Sequence, residues 1–254
     1  MKLSVLLPVY NECATLREIV RRVRHVPLDK EIIIVDNAST DGTREVLLEM
    51  LASGEAVAAE NFSDADFSSD ADDARRIRIA FQSENGGKGK SVRRALELAR
   101  GEFVIVQDAD LEYDPQDYLK LLALAQRKDC CAVFGTRLGP RSAARRHQPR
   151  TAFYYGRIGL SLVFRVLYGS RLTDVATCYK LIRREVAQSL PLQSNGFDLD
   201  FEIAARLARR GRRQGQRILE APISYAPRTE LEGKKIRAFH DGWRAVWALL
   251  KYRF

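Results

Sequence analysis

Apolar residues along this 254-residue chain fall in short blocks that switch between two periods. Leu3–Val9, interrupted by Pro8, and Glu31–Asp36 (EIIIVD) are brief runs of strand-forming residues. Between them, Ala14 to Val26 places Leu16, Ile19, Val20 and Val23 on one helical face. That is a β-α-β unit, which implies parallel strands and a right-handed crossover. The alternation continues through a helix over Thr40–Leu51, a strand Ile77–Phe81, a helix Lys90–Ala99 and a strand Phe103–Gln107. A helix Pro115–Gln126 and a strand Cys131–Gly135 follow, with Asp114 placed to cap the helix ahead of Pro115. The rhythm predicts an α/β fold with a mostly parallel sheet and helices on both faces.

Two segments break it. Gly54 to Ala74 carries Glu55, Glu60, Asp64, Asp66, Asp70, Asp72 and Asp73 without a single base, and reads as a solvated insertion over about 54–76, outside the core. A calcium loop would need a central Gly and a terminal Glu that this stretch lacks. Residues of about 138–150 form a basic loop with Arg141, Arg145, Arg146 and Arg150. Phe153 to Tyr168 is then apolar nearly all round, broken by Arg157 and Arg165. It is either a buried core helix or a helix lying at a lipid interface. A helix over Phe197–Arg210 and a strand Ile218–Tyr225 precede the last piece, Lys234 to Phe254. There Ile236, Phe239, Trp243, Val246, Trp247, Leu250 and Phe254 share a face, flanked by Arg237, His240, Arg244 and Lys251. Trp beside Arg and Lys suits a membrane-surface helix; a helix packed on the domain explains the spacing as well.

Charge sharpens this picture. The net +9 divides into −6 before Arg137, with 18 Lys and Arg against 24 Asp and Glu, and +15 from Arg137 on, with 24 against 9. A basic second half suits phosphates, nucleic acid or an anionic membrane surface. Cys13, Cys130, Cys131 and Cys178 form no Cys-x-x-Cys, and three histidines are too few for a zinc site, so a reducing, cytosolic compartment is expected. No signal-peptide core and no membrane span is predicted. Any membrane contact is then peripheral.

The chemistry gathers at strand ends. Phe103–Gln107 runs into Asp108-Ala109-Asp110, and ligands of open α/β sheets bind beyond the carboxyl ends of their strands. Two carboxylates there suit a hard cation that is completed by substrate phosphates. Asp36 ends the second strand, where an acid suits a ribose hydroxyl or a base N–H. Glu84-Asn85-Gly86-Gly87-Lys88-Gly89-Lys90-Ser91 nearly matches a P-loop but has Glu84 where Gly is required, which excludes an ATPase and leaves a Gly/Lys turn able to face an anion. The first strand lacks Gly-x-Gly-x-x-Gly, which argues against a nicotinamide dehydrogenase.

These motifs in order, Leu7-Pro8-Val9-Tyr10-Asn11-Glu12, Val35-Asp36-Asn37-Ala38-Ser39-Thr40-Asp41-Gly42-Thr43, Asn85-Gly86-Gly87-Lys88-Gly89 and Asp108-Ala109-Asp110-Leu111-Glu112, resemble family 2 glycosyltransferases of the GT-A fold. The dolichyl- and polyprenyl-phosphate sugar transferases are the most similar branch. Gly135-Thr136-Arg137, Thr173–Lys180, Phe197–Ile203 and Glu220-Ala221-Pro222-Ile223 extend the likeness over nearly the whole chain. The resemblance implies a three-layer nucleotide-binding domain over residues 1–228 and a C-terminal amphipathic helix over 229–254. It implies that Pro8, Tyr10 and Glu12 line a base pocket, with Val35 and Asp36 holding base or ribose and Lys88 and Ala109 nearby. Asp108, Asp110 and Glu112 would bind Mg²⁺ or Mn²⁺, although the third position is often Gln in the family. Arg137 would reach the diphosphate or the acceptor phosphate, and Arg228 with Lys234 or Lys235 would close over the donor. Asp174 and Thr177 would sit near the acceptor.

The expected activity is metal-dependent, inverting transfer from a nucleoside-diphosphate sugar, GDP-mannose or a UDP-hexose, to a polyprenyl phosphate or similar acceptor. A lipid phosphate is already ionised and needs no strong base, whereas a saccharide hydroxyl needs a carboxylate such as Asp198, Asp200 or Glu202. Each of those also fits the acidic start of a helix. Glu202 is carried forward as a catalytic candidate with Asp108, Asp110 and Arg137. A non-catalytic anion or nucleic-acid binder explains the charge but not paired aspartates at a strand end, so no nucleic-acid partner is expected. The resulting location is cytoplasmic, peripheral at the inner face of a membrane.

Overall fold

The computed structural model describes residues 1–61, 76–138, 150–228 and 238–253. β1 (Leu3–Val9), α1 (Leu16–Arg24), β2 (Lys30–Asp36) and α2 (Thr43–Ala52) build the opening unit, with Leu16, Ile19, Val20 and Val23 of α1 buried as their spacing predicts. β3 (Val57–Ala58), β4 (Ile77–Phe81), α3 (Lys88–Leu98), β5 (Phe103–Val106), α4 (Tyr118–Ala125) and β6 (Cys130–Thr136) follow. The second half holds α5 (Ala152–Tyr168), β7 (Lys180–Arg183), α6 (Arg184–Ser189), α7 (Leu199–Arg213), β8 (Arg217–Pro222) and α8 (Ala238–Lys251).

The strands form one sheet in the order β3-β4-β2-β1-β5-β7-β6-β8. β2 is buried along its whole length, as a central strand covered on both faces must be. The chain steps outward from β1 to β2 and β4, then returns to β5 on the other side of β1. A crevice therefore opens beyond the carboxyl ends of β1 and β5, where the strand order reverses. β7 runs antiparallel between β5 and β6, so the sheet is mixed. Its four residues, Lys-Leu-Ile-Arg, carry too little apolar pattern to announce a strand. The reversal has a use: it delivers Thr177 to Lys180 to the edge where the parallel strands end.

The opposite edge is closed by a buried polar knot. Arg78 of β4 pairs with Glu31 of β2, which also accepts the Ser4 hydroxyl at 2.5 Å, and Gly101 N–H donates to Ser4 Oγ at 2.8 Å. These ions hold the amino ends of three strands together, far from the crevice.

Two expectations need correction. The acidic insertion is not wholly outside the core: Ala56 and Ala59 are buried and β3 pairs with β4. Residues 62–75 of that insertion, 139–149 of the basic loop, and Lys234 and Lys235 lie outside the described residues. α3 begins at Lys88, two residues earlier than the pattern suggests. Asp114, by contrast, caps as expected, its Oδ1 accepting Gln116 N–H at 3.0 Å ahead of Pro115. Asp114→Ala should cost about 1 kcal/mol in urea unfolding.

α5 is buried on one face only. Phe164 and Tyr168 enter the core, while Tyr155, Ile158, Leu162 and Val166 face outward, Val166 at 77% exposure. α8 lies against it, burying Ala245, Ala248, Leu249 and Tyr252 and exposing Trp243 and Trp247. Among the described residues no helix is long and apolar enough to cross a membrane.

Candidate active site

Part of the crevice lining comes from turns that follow strands, and α5, α7 and α8 supply much of the rest. Three non-glycine residues in these turns adopt positive φ: Asn11 (52°) after β1, Ala38 (59°) after β2 and Leu111 (61°) after β5. Such backbone is costly and clusters where the fold over-determines a functional loop. The β5 turn is held from beneath by Gln107, fully buried. Its Oε1 accepts the hydroxyls of Tyr118 (2.5 Å) and Tyr179 (2.6 Å), and its Nε2 donates to the Asp108 carbonyl (2.9 Å). Asp110 Oδ1 then accepts Glu112 N–H at 3.0 Å, closing a tight turn.

A cavity of about 950 Å³ fills the crevice. Pro8, Tyr10, Glu12, Lys88, Asp108, Ala109, Asp110, Glu112, Arg137 and Arg228 all line it, brought together from five separate stretches of chain. Val35 and Asp36 are fully buried just beneath. Asp36 Oδ1 accepts Ser39 N–H at 3.2 Å, while its buried Oδ2 has no hydrogen bond among the described residues and stands 3.7 Å from Arg44.

The acids of the β5 turn are not equivalent. Asp108 is ion-paired with Lys88 at 2.7 Å. Burial opposes its charge, but the ammonium outweighs burial and holds the carboxyl below its usual range. Lys88 is itself 3.6 Å from Asp200, whose other oxygen takes Lys180 at 2.7 Å. The row Asp108, Lys88, Asp200, Lys180 alternates in sign and balances itself. Glu112 is engaged on both oxygens, by Arg228 N–H and the Tyr225 hydroxyl, each at 2.8 Å. Arg228 also donates to the Asp110 carbonyl (2.7 Å) and to Glu12 (3.0 Å), strapping the β8 side of the crevice to β1.

That leaves Asp110. Burial, then the negative charges of Asp108 and Glu112, push its carboxyl up to about 7. No base stands at ion-pair distance from it among the described residues, which also contain no ready-made cluster of three metal-ligating acids. A single carboxylate short of a cation fits Mg²⁺ or Mn²⁺ in the manner of sites completed by substrate phosphates. Asp110 would hold it, with Glu112 behind, and Asp108 is committed to Lys88.

The Gly/Lys turn does something other than cradle an anion. Gly89 N–H donates to the Asn195 carbonyl at 2.7 Å, and a Cβ at Gly89 would stand 2.0 Å from Ser194 O. The glycines let α3 dock on the backbone of residues 193–197, a loop that carries Phe197 into the cavity. Glu202 holds the same loop from its other side, accepting the N–H groups of Gln193 (3.0 Å) and Ser194 (2.8 Å) and pairing with Arg206 at 2.8 Å. It is fully buried and stands outside the cavity lining, which removes it from contact with a substrate.

Arg137 lines the cavity but gives its fork to Asp174, at 2.7 and 2.9 Å. Thr177 is buried beside this pair's strand and is not part of the lining. Among the lining residues assigned no site role from sequence are Arg157, Tyr113 and Tyr225. For Arg157 a signal existed: it interrupts an otherwise apolar helix.

A family model described as Glycosyl transferase family 2 matches residues 4–190. The chain is 27% identical to the low-salt glycan biosynthesis hexosyltransferase Agl6 of Haloferax volcanii, over 98% of its own length and 53% of that protein. It thus spans about half the length of that relative. With the undecaprenyl-phosphate mannosyltransferase of Micrococcus luteus it shares 26% identity, over 92% of this chain and 87% of that one. Among solved structures, glucosyl-3-phosphoglycerate synthase from Mycobacterium tuberculosis, in complex with Mn²⁺, UDP and glucosyl-3-phosphoglycerate, is similar at a TM-score of 0.66. That match is 18% identical and covers 99% of this chain and 79% of that one, a likeness of fold.

Proposed function

This chain belongs to glycosyl transferase family 2, with a GT-A fold, and from that premise we propose that it transfers a sugar from a nucleoside-diphosphate sugar to a polyprenyl phosphate or similar anionic acceptor, with inversion and with Mg²⁺ or Mn²⁺. The observation that carries the reading is Asp110, an under-compensated carboxylate in the switch-point crevice of a nucleotide-binding sheet. The metal, when bound, neutralises charge that develops on the departing diphosphate, a contribution of several kcal/mol. Arg228 closes the same side of the cleft. Tyr10 and Asn37 of the lining suit a base or ribose, with Asp36 buried behind them, and GDP-mannose and a UDP-hexose both remain candidate donors.

The acceptor argument is one of proton traffic. A saccharide hydroxyl needs a base, and the two carboxylates nearest that role are occupied, Asp200 by two lysines and Glu202 by backbone amides and Arg206. A phosphate acceptor arrives ionised and needs neither. The outward apolar faces of α5 and α8, with Arg244 exposed beside Trp243 and Trp247, support approach along a membrane surface. The name of the Micrococcus luteus relative points the same way.

A thermal-shift panel of GDP- and UDP-sugars with and without Mn²⁺ tests the donor half. One nucleotide is expected to stabilise the protein only with metal, by about 2.7 kcal/mol at a hundred times its Kd. If none does, the reading is wrong. Transfer of labelled sugar to undecaprenyl phosphate but not to undecaprenol is the matching result for the acceptor.

A further inference from the structure

We propose that Arg157 of α5 determines acceptor specificity, forming with Arg137 a seat for the phosphate monoester of an acceptor whose apolar chain continues along the same cavity. This rests on the transferase reading but assigns a residue that the reading does not require. Arg157 points inward from a helix whose outer face is apolar, and it lines the cavity. Its guanidinium carbon stands 5.5 Å from the Tyr225 ring, and that of Arg137 stands 5.0 Å from the same ring. One tyrosine is therefore flanked by two guanidiniums, and Asp174 gives both of its side-chain oxygens to Arg137.

The electrostatics agree with the geometry. Burial, and then the charge of Arg137, lower the pKa of Arg157 against the opposing pull of Asp174, so two buried cations share one carboxylate and a second anion beside them is favoured. The Arg157 guanidinium, beside an Arg137 whose Nε and Nη2 stay with Asp174, suits the oxygens of a phosphate better than a lone hydroxyl. The seat also lies at the right place along the cavity. The Tyr225 hydroxyl donates to Glu112, which adjoins Asp110, so one aromatic ring separates the two guanidiniums from the donor side. Phe153 and Leu160 of α5, Phe201 of α7 and Ala245 of α8 add apolar lining to the same cavity. The bland account is that Arg157 merely stacks on Tyr154 and Tyr225 to hold α5 in place.

The test uses the full chain with three probes, farnesyl monophosphate, farnesol and inorganic phosphate, in calorimetric titrations with and without the stabilising nucleotide and Mn²⁺. Wild type is expected to bind farnesyl phosphate at least tenfold more tightly than farnesol. Arg157→Gln should lose roughly tenfold or more for farnesyl phosphate, the scale of a lost charge-assisted contact. Farnesol affinity and the metal-dependent nucleotide shift should stay within about twofold, and Arg157→Lys should fall between. Inorganic phosphate binding as tightly as farnesyl phosphate keeps the seat but assigns it to free phosphate. Unchanged farnesyl phosphate binding in Arg157→Gln, or an equal loss for farnesol, overturns the assignment and leaves Arg157 a packing residue. Absence of any nucleotide shift in wild type sinks the transferase reading separately, because the contrast between farnesyl phosphate and farnesol is read without nucleotide.

Discussion

An Asp110→Ala protein is expected to transfer sugar about a thousandfold more slowly than the parent, the several kcal/mol that a metal at a leaving diphosphate supplies. It should also lose the metal-dependent part of nucleotide stabilisation. The same change should leave the fold intact and raise its stability, because the carboxylate it removes is buried between Asp108 and Glu112. The sign follows from linkage. A carboxyl whose folded pKa is raised, here to about 7 from 3.8, binds more protons in the folded state, so it weakens the fold as pH climbs from about 4 to about 7. In EDTA, Asp110→Asn should therefore melt at the same temperature as the parent near pH 4 and above it at pH 7. A gain of about 1 kcal/mol corresponds to roughly 2–4 °C for a chain of this size. Full transfer activity in Asp110→Ala removes it as the metal ligand. A pH-independent melting difference removes the electrostatic account of why this carboxylate, among three neighbouring acids, is the one waiting for a cation.

The contrast among those acids shows what a linear reading reaches and what it misses. Strand-end positions are local: a short apolar run says where the strand stops, and a parallel sheet puts all such stops on one edge. Asp36, Asp108 and Asp110 were legible as strand-end acids on that ground, whereas Tyr10 and Glu12 entered only through the family resemblance. Partners are not local. Lys88 lies 20 positions from Asp108 and pairs with it only because α3 starts at Lys88 and docks on residues 194–195. Arg137 meets Asp174 across 37 positions, through a four-residue antiparallel strand that no periodicity announced. Both pairings change chemistry. They pair Asp108 with Lys88 and Arg137 with Asp174, so neither side chain stands as an isolated charge in the cavity. The acidic insertion is the opposite kind of miss, since composition alone could not say that Val57 and Ala58 add a sheet edge.

Glu202 is where the two kinds of reading diverge most, and its substitution separates them. A general base that is changed to Gln loses about 10²–10⁴ in kcat, together with the acidic limb of the pH profile. The structure predicts another outcome. Its fully buried carboxylate accepts the N–H groups of Gln193 and Ser194 and neutralises the mostly covered Arg206. In Glu202→Gln an amide NH₂ would face backbone donors and a buried guanidinium would lose its anion, so the fold should weaken by about 3 kcal/mol. That corresponds to a melting point lower by roughly 6–12 °C. Measured well below that temperature, kcat should stay within a few fold of the parent and keep its pH profile. KM should rise instead, because the loosened loop 193–197 carries Phe197 into the cavity and receives Gly89 and Arg93, whose Nη1 donates to Ser194 O at 2.5 Å. A stable Glu202→Gln protein with a collapsed kcat would restore the base and, with it, a hydroxyl acceptor.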